Sequence, residues 1–371
     1  MTQTNAPTVV FIDDHEEELK PLAELVSNAG MAGCKVDSPE DVDAELLEHA
    51  DLVIVDYTLD DWIGNVDVNQ LSLKPVNGVA LASVLREHYR TEPLRHAPPT
   101  GFALITGKPD AISTSPGERR PHVVARLSNL EWFFEKYTDS QQNADQIVSL
   151  AIAIHSLPSG FSENMVELDE LIELLGVTHE NPLFERYRDA VGLCRPPLHH
   201  LSKESGGLIL IRWLLHRILP HTSFLIDERN LAARLRVTID SLRLQLAENG
   251  QFMEELANYA YTGLLSTFDG IRWWRGGIEQ WLWNITDGQS SKPAAVLESL
   301  KQVGADKLVP TEEVRPVVTL NEHLKQEDSL TSRSDVVAIQ LDDWPSYAEP
   351  AYVRREILEK HDFLKLFVTE V

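Results

Sequence analysis

The sequence predicts an α/β protein: a doubly wound, five-stranded parallel sheet, followed by a mainly α-helical second domain with a small mixed C-terminal segment. Three observations predict it. Val9-Val10-Phe11-Ile12 and Leu52-Val53-Ile54-Val55 are short unbroken apolar runs, the pattern of strands buried on both faces of a parallel sheet. Stretches of helical period separate such runs, and strands alternating with helices require parallel crossovers. From about Met165 to Thr286 the period is helical and strand-like runs become scarce.

The elements follow in order. After the first strand, Leu19, Leu22, Leu25 and Val26 recur at helical spacing, and Gly30 ends that helix. A short second strand spans Cys34 to Val36. Ser38-Pro39-Glu40-Asp41 then reads as a helix start, with a hydroxyl N-cap, proline in the first turn and acids at the positive end of the dipole. The third strand, Leu52 to Val55, ends on Asp56. Asn77-Gly78 opens a helix carrying Val79, Leu81, Ala82 and Leu85, and Gly101 to Ile105 is the fourth strand, ending on Thr106-Gly107. Leu130 to Glu135 leads into Lys136, and Ile147, Leu150, Ala151 and Ile154 form the last apolar stripe. The first domain is expected over 7–156, a linker over 157–164, a helical domain over 165–290 and a mixed segment over 310–371.

Two strands close on carboxylates, Asp13-Asp14 and Asp56, which a parallel sheet delivers to one rim, where ligands of open α/β sheets gather. Three carboxylates there repel one another unless a divalent cation neutralises them, and hard oxygen donors suit Mg2+. Thr106 and Lys136 add a hydroxyl and an ammonium at two further strand ends. That set suits carboxylate phosphorylation, with Asp56 as nucleophile and the cation, Thr106 and Lys136 holding the phosphoryl oxygens.

With these residues in this order, the first 150 or so positions resemble the response-regulator receiver domain of two-component signalling, a flavodoxin-like fold. The resemblance implies that Asp56 is the phospho-acceptor and that Asp13, Asp14 and Asp56 hold Mg2+ with the Thr58 carbonyl. It makes Thr106 the switch hydroxyl, Lys136 the phosphate-binding lysine and Phe133 the switch aromatic. It also implies a histidine kinase or phosphotransfer protein as donor. Three departures stand out. Asp60-Asp61-Trp62-Ile63-Gly64 through Lys74-Pro75 form an insertion after the acceptor. Ser115 to Pro121 expand the segment between Thr106 and Lys136. Tyr137 stands where the family usually has proline.

Composition bounds the rest. With 371 residues the chain has room for two domains with sizeable cores. A formal net charge of −25 argues against indiscriminate binding to nucleic acid or anionic membranes. Two cysteines, Cys34 and Cys194, offer no disulfide framework and fit a reducing cytoplasm. Met1 to Pro7 lack a basic n-region and an apolar core, so a secretory leader is not expected. Leu208 to Leu219, the longest apolar stretch, is interrupted by Arg212, His216 and Arg217 and is too short to span a bilayer.

In the second half, residues 228–247 resemble a helix-turn-helix, with Ala232 at the close approach, Val237 and Leu242 in the core and Thr238 as N-cap. Arg236 stands where glycine is usual, and only Arg243 and Gln245 are candidate base readers, joined by Arg236 as a nucleic-acid contact. An ordinary helix pair accounts for the segment better than DNA recognition does. Residues 271–283 hold half the tryptophans; packing is the simpler reading, and a docking surface the alternative. Cys194 with His199-His200 lacks a second pair at zinc-ligand spacing. Asp287 to Pro293 and Gln326 to Ser332 read as flexible connections, Val317 to Leu320 and Val336 to Leu341 as strands, and Asp342-Asp343 as a solvated turn.

The expectation is a non-enzymatic phospho-acceptor whose helical half is an output that binds a protein partner. A DNA-binding regulator and an output-less phosphate sink are the rivals, and a homodimer is compatible with each.

Overall fold

The computed structural model describes residues 6–30, 33–60, 75, 77–91, 99–115, 119–158, 167–201, 207–248, 250–340 and 344–369. Most of the insertion after Asp56 (61–74), Pro116 to Glu118, the linker beyond Pro158, Met165 and Asp342-Asp343 therefore lie outside the described residues. The chain divides into two compact units, Met1–Val166 with Pro197–Leu215, and Glu167–Pro196 with His216–Val371. A later segment, 197–215, thus groups with the first unit.

The first unit alternates strands and helices: β1 (Thr8–Ile12), α1 (Glu16–Asn28), β2 (Gly33–Asp37), α2 (Ala44–Glu48), β3 (Leu52–Asp56), α3 (Gly78–Thr91), β4 (Gly101–Thr106), α4 (Arg120–Leu127), β5 (Trp132–Glu135) and α5 (Ser140–His155). The five strands form one sheet in the order β2-β1-β3-β4-β5, and every pair is parallel. Burial follows the period-two rule on both faces. Val10, Ile12, Val53, Val55, Phe102, Leu104 and Phe133 share a core with Leu47 of α2, Leu81, Ala82 and Leu85 of α3, and Val124 and Ala125 of α4. Their alternates, Val9, Phe11, Leu52, Ile54 and Ala103, are equally buried, and α1 packs beside α5 on the first unit. Each such Val, Leu, Ile or Phe side chain contributes roughly 1.5–3 kcal/mol, so strand register is held from both sides.

The start of α2 differs from the sequence expectation. Ser38 makes a turn, its carbonyl accepting from the Asp41 amide (3.0 Å) and its Oγ from Glu40 (3.3 Å). The helix begins only after Asp43, whose carboxylate accepts from the Leu46 amide (2.8 Å). A carboxylate three residues before a free amide caps better than a hydroxyl already engaged in its own turn.

Helices α6 (Leu168–Leu174) and α7 (Phe184–Leu193) open the second unit before the chain returns to the first as α8 (Leu208–Trp213), beside α5. The second unit continues with β6 (Leu225–Ile226), α9 (Glu228–Leu235), α10 (Ile239–Leu246), α11 (Gln251–Ala257), β7 (Trp273–Trp274), α12 (Arg275–Ile285) and α13 (Pro293–Gln302). It closes with β8 (Pro316–Leu320), β9 (Gln326–Ser332), β10 (Val336–Ile339), β11 (Ala351–Arg354), α14 (Arg355–Lys360) and α15 (Asp362–Lys365). The last four strands make a sheet ordered β10-β11-β8-β9.

Strand β9 corrects the sequence reading, in which Gln326 to Ser332 is a flexible connection. It pairs antiparallel with β8 from Pro316↔Ser332 to Leu320↔Gln326. Its residues carry no apolar alternation because it is an edge strand, held by polar partners: Thr319 Oγ1 donates to Glu327 Oε2 (2.6 Å), and Asp328 receives Arg229 and Arg243. The tryptophans go mostly inward. Trp273, Trp274 and Trp281 are buried, Tyr187 stacks on Trp274 at 4.4 Å, and Trp283 is exposed. Among the described residues no helix is long and apolar enough to cross a membrane.

Candidate functional site

Parallel pairing carries four strand ends to one rim. Ile12 lies opposite Val55, Asp56 opposite Ile105 and Thr106 opposite Glu135, so the residues that follow β1, end β3, end β4 and follow β5 are neighbours. Asp13, Asp14, Asp56, Thr106 and Lys136 are thereby gathered, as the sequence reading requires. One oxygen from each of Asp13, Asp14 and Asp56 lies within 4.8 Å of the others. Among the described residues this is the one His, Cys, Asp and Glu grouping able to hold a metal ion. Its donors are carboxylate oxygens without nitrogen or sulfur, which fits a hard divalent cation such as Mg2+.

Asp13 and Asp56 are held in place. Asp13 is 1% exposed; its Oδ1 accepts from the His15 amide (2.8 Å) and its Oδ2 from Lys136 Nζ (2.9 Å). Asp56 is also buried; Oδ2 accepts from the Thr58 amide (2.8 Å) and Oδ1 lies 3.0 Å from Lys136 Nζ. Thr58 thus reaches the site through its amide. Behind Asp56 the chain returns closely: a Cβ on Gly78 would lie 2.1 Å from the Asp56 carbonyl oxygen, so only glycine admits α3 at this approach. Asn77 fixes that return by capping α3, its Oδ1 accepting from the Ala80 amide (3.0 Å).

The electrostatics follow from burial. Desolvation raises the Asp56 pKa to about 6, against the opposing pull of Lys136. Burial likewise raises that of Asp13. Burial works against the Lys136 charge as well, but the carboxylates of Asp13, Asp56 and Glu18 outweigh it and hold its pKa above the ordinary lysine range. The ammonium is therefore a resident counter-charge in an acidic pocket.

Thr106 is 1% exposed, and its Oγ1 accepts from the Lys108 amide (3.1 Å). The Lys136 amide donates to the Thr106 carbonyl (2.8 Å), which ties the two strand ends together. Phe133 is buried in register with Leu104 and packs in the core beside α4. Tyr137 is 78% exposed, and its ring rests on Gly107, where an added Cβ would come within 2.6 Å of it.

Sequence reasoning missed two contributors. Glu18, in the first turn of α1, accepts from Lys136 Nζ at 3.0 Å. Within the run Glu16-Glu17-Glu18 the acids read only as favourable at a helix start; the register of α1 singles out Glu18. Arg120, buried, bridges Asp110 (2.6 Å) and Glu135 (2.8 Å), the residue before Lys136.

The candidate base readers have other engagements. Gln245 is 3% exposed and its Oε1 accepts from the Lys307 amide (3.2 Å), a placement that withdraws it from any base edge. Arg243 donates to Glu228 (2.7 Å) and to Asp328 of β9 (2.7 Å). Arg236 adopts the left-handed conformation (φ 59°, ψ 40°) in the turn between α9 and α10. Thr238 caps α10, and Ala232, Val237 and Leu242 are fully buried. No protein family and no curated protein matches this chain by sequence.

Proposed function

We propose that this chain is a response-regulator-like signalling protein that accepts a phosphoryl group on Asp56 from a histidine kinase or phosphotransfer protein. The observation that carries the reading is the buried Asp56 carboxylate at a central strand end, grouped with Asp13 and Asp14 and 3.0 Å from the Lys136 ammonium. The order β2-β1-β3-β4-β5 is that of flavodoxin-like sheets, and the site lies at the strand ends where that topology collects ligands.

In the proposed reaction an Asp56 oxygen attacks phosphorus, the donor's phosphorus–nitrogen bond breaks, and the electron pair leaves with the imidazole of the donor. The pocket formed by Asp13, Asp14 and Asp56, with the Thr58 carbonyl as a further ligand, would hold Mg2+, which supplies neutralisation of the phosphoryl oxygens. Lys136 directs its ammonium at the transferred group. Thr106 offers its hydroxyl to the product, and the buried Phe133 re-packs as the Thr106 strand end moves. No chemistry beyond this self-phosphorylation and its hydrolysis is proposed.

The second unit is proposed as a non-catalytic output that binds a protein, with exposed Trp283 and Leu244 as anchor candidates; a cytoplasmic setting accompanies the reading. The engagement of Gln245 and Arg243 within the unit favours this over DNA binding through 228–247. The test is incubation of the full chain with acetyl phosphate and Mg2+, beside Asp56→Asn. An acid-stable, base-labile adduct on the native chain alone is expected. A folded native chain that acquires none overturns the reading.

A further inference from the structure

A lysine ammonium has three protons to donate, and in this site each has a carboxylate: Asp13 Oδ2 at 2.9 Å, Asp56 Oδ1 at 3.0 Å and Glu18 Oε2 at 3.0 Å. Asp13 and Asp56 also belong to the group of carboxylates able to hold a divalent cation; Glu18 does not. Lys136 and the cation therefore contend for Asp13 and Asp56. A cation on those carboxylates draws their charge to itself and repels the ammonium. The Lys136 side chain is 7% exposed, so an ammonium left there without an acceptor meets a desolvation cost that nothing offsets.

Glu18 answers that problem by position. It lies half-exposed on the first turn of α1, at the edge of the pocket, and neighbouring Glu17 is taken by Lys20. We propose that Glu18 is a positioning residue for Lys136, the carboxylate that retains the ammonium at the pocket when Asp13 turns to the divalent cation. The inference rests on the reading of the pocket as a metal-assisted phospho-acceptor site. Glu18 does not touch the phosphoryl group; it acts through Lys136. Without it, Lys136 keeps its hold on Asp13 and Asp56, and the cation binds less well.

The test is calorimetric titration of the full chain with Mg2+ at constant ionic strength, in the native protein, Glu18→Gln, Lys136→Met and the double variant. Glutamine keeps the shape of Glu18 at a half-exposed position, so the fold is retained. Glu18→Gln is expected to weaken Mg2+ binding by about threefold to fivefold in the native background. In the Lys136→Met background the same change has an effect of less than about twofold, because the group Glu18 acts through is gone. Lys136→Gln replaces the methionine variant should the latter not fold. Equal weakening in both backgrounds makes Glu18 merely a distant charge and overturns the proposal, as does no weakening in the native background. Mg2+ binding that Asp13→Asn leaves unchanged removes the metal reading of the pocket as well, which separates the two failures.

Discussion

At the scale of single residues, Asp56 concentrates the tension in this fold. Its carboxylate is buried at a strand end, and desolvation, opposed by Lys136, raises its pKa to about 6. The folded chain therefore holds this proton more tightly than the unfolded chain does. The sign follows: Asp56 lowers native stability as pH rises from about 4 to about 6, and the deficit is constant above that window. That interval corresponds to about 3 kcal/mol at full ionisation, and relaxation around the charge brings the expected effect to about 1–3 kcal/mol. Without divalent cations, Asp56→Asn should be more stable than the native chain by this amount at neutral pH and no more stable below about pH 4. Urea unfolding across the range checks it; a pH-independent difference refutes it.

At the scale of elements, β5 is anchored at both ends. Beyond its C-terminal end stands Lys136; just before its start, Glu131 is fully buried and accepts the Phe102 amide and Arg212 Nε of α8 (2.9 Å). Arg212 also donates to the Asn129 carbonyl (3.0 Å). Removing the guanidinium leaves a buried carboxylate with one partner fewer. Arg212→Ala is expected to destabilise the chain by about 2–4 kcal/mol, discounted because Arg212 is partly exposed. Glu131→Gln in the same chain should recover part of the loss, since the amide oxygen still accepts from Phe102. Thermal unfolding of the single and double variants decides it, and additive losses would count against the pairing.

At the scale of the whole molecule, 58 acidic residues against 33 basic ones give the net charge of −25. Diffuse acidity attracts cations weakly everywhere, so a metal effect must be traced to the pocket. A ligand that binds only the folded state stabilises it by mass action, about 2.7 kcal/mol at a hundred times the dissociation constant. Mg2+ is expected to raise the unfolding temperature of the native chain and to do so far less for Asp13→Asn. Equal shifts in the two chains would assign the effect to surface charge instead. Ionic strength held constant removes the screening contribution.

The sequence by itself determined the parallel sheet, because strands buried on both faces have to be unbroken apolar runs, and Val9–Ile12 and Leu52–Val55 are such runs. It also determined which side chains stand at the strand ends: Asp13, Asp14, Asp56, Thr106 and Lys136 are adjacent in sequence to those runs. Thr238 and Asn77 were legible as helix starts for the same local reason, whereas Ser38 misled because a hydroxyl that can cap can equally close a turn. Only the tertiary structure decided the rest. Glu18 meets Lys136 from 118 positions away, and no local pattern in Glu16-Glu17-Glu18 distinguishes it. The polar strand β9 exists because β8 supplies its hydrogen-bond partners, and Gln245 is buried because the Lys307 amide comes to it. Residues 197–215 group with the first unit, where Arg212 meets Glu131 from 81 positions away. Apolar periodicity reports burial along one element; pairing between distant polar groups depends on where the folded chain brings them, which no single stretch of sequence contains.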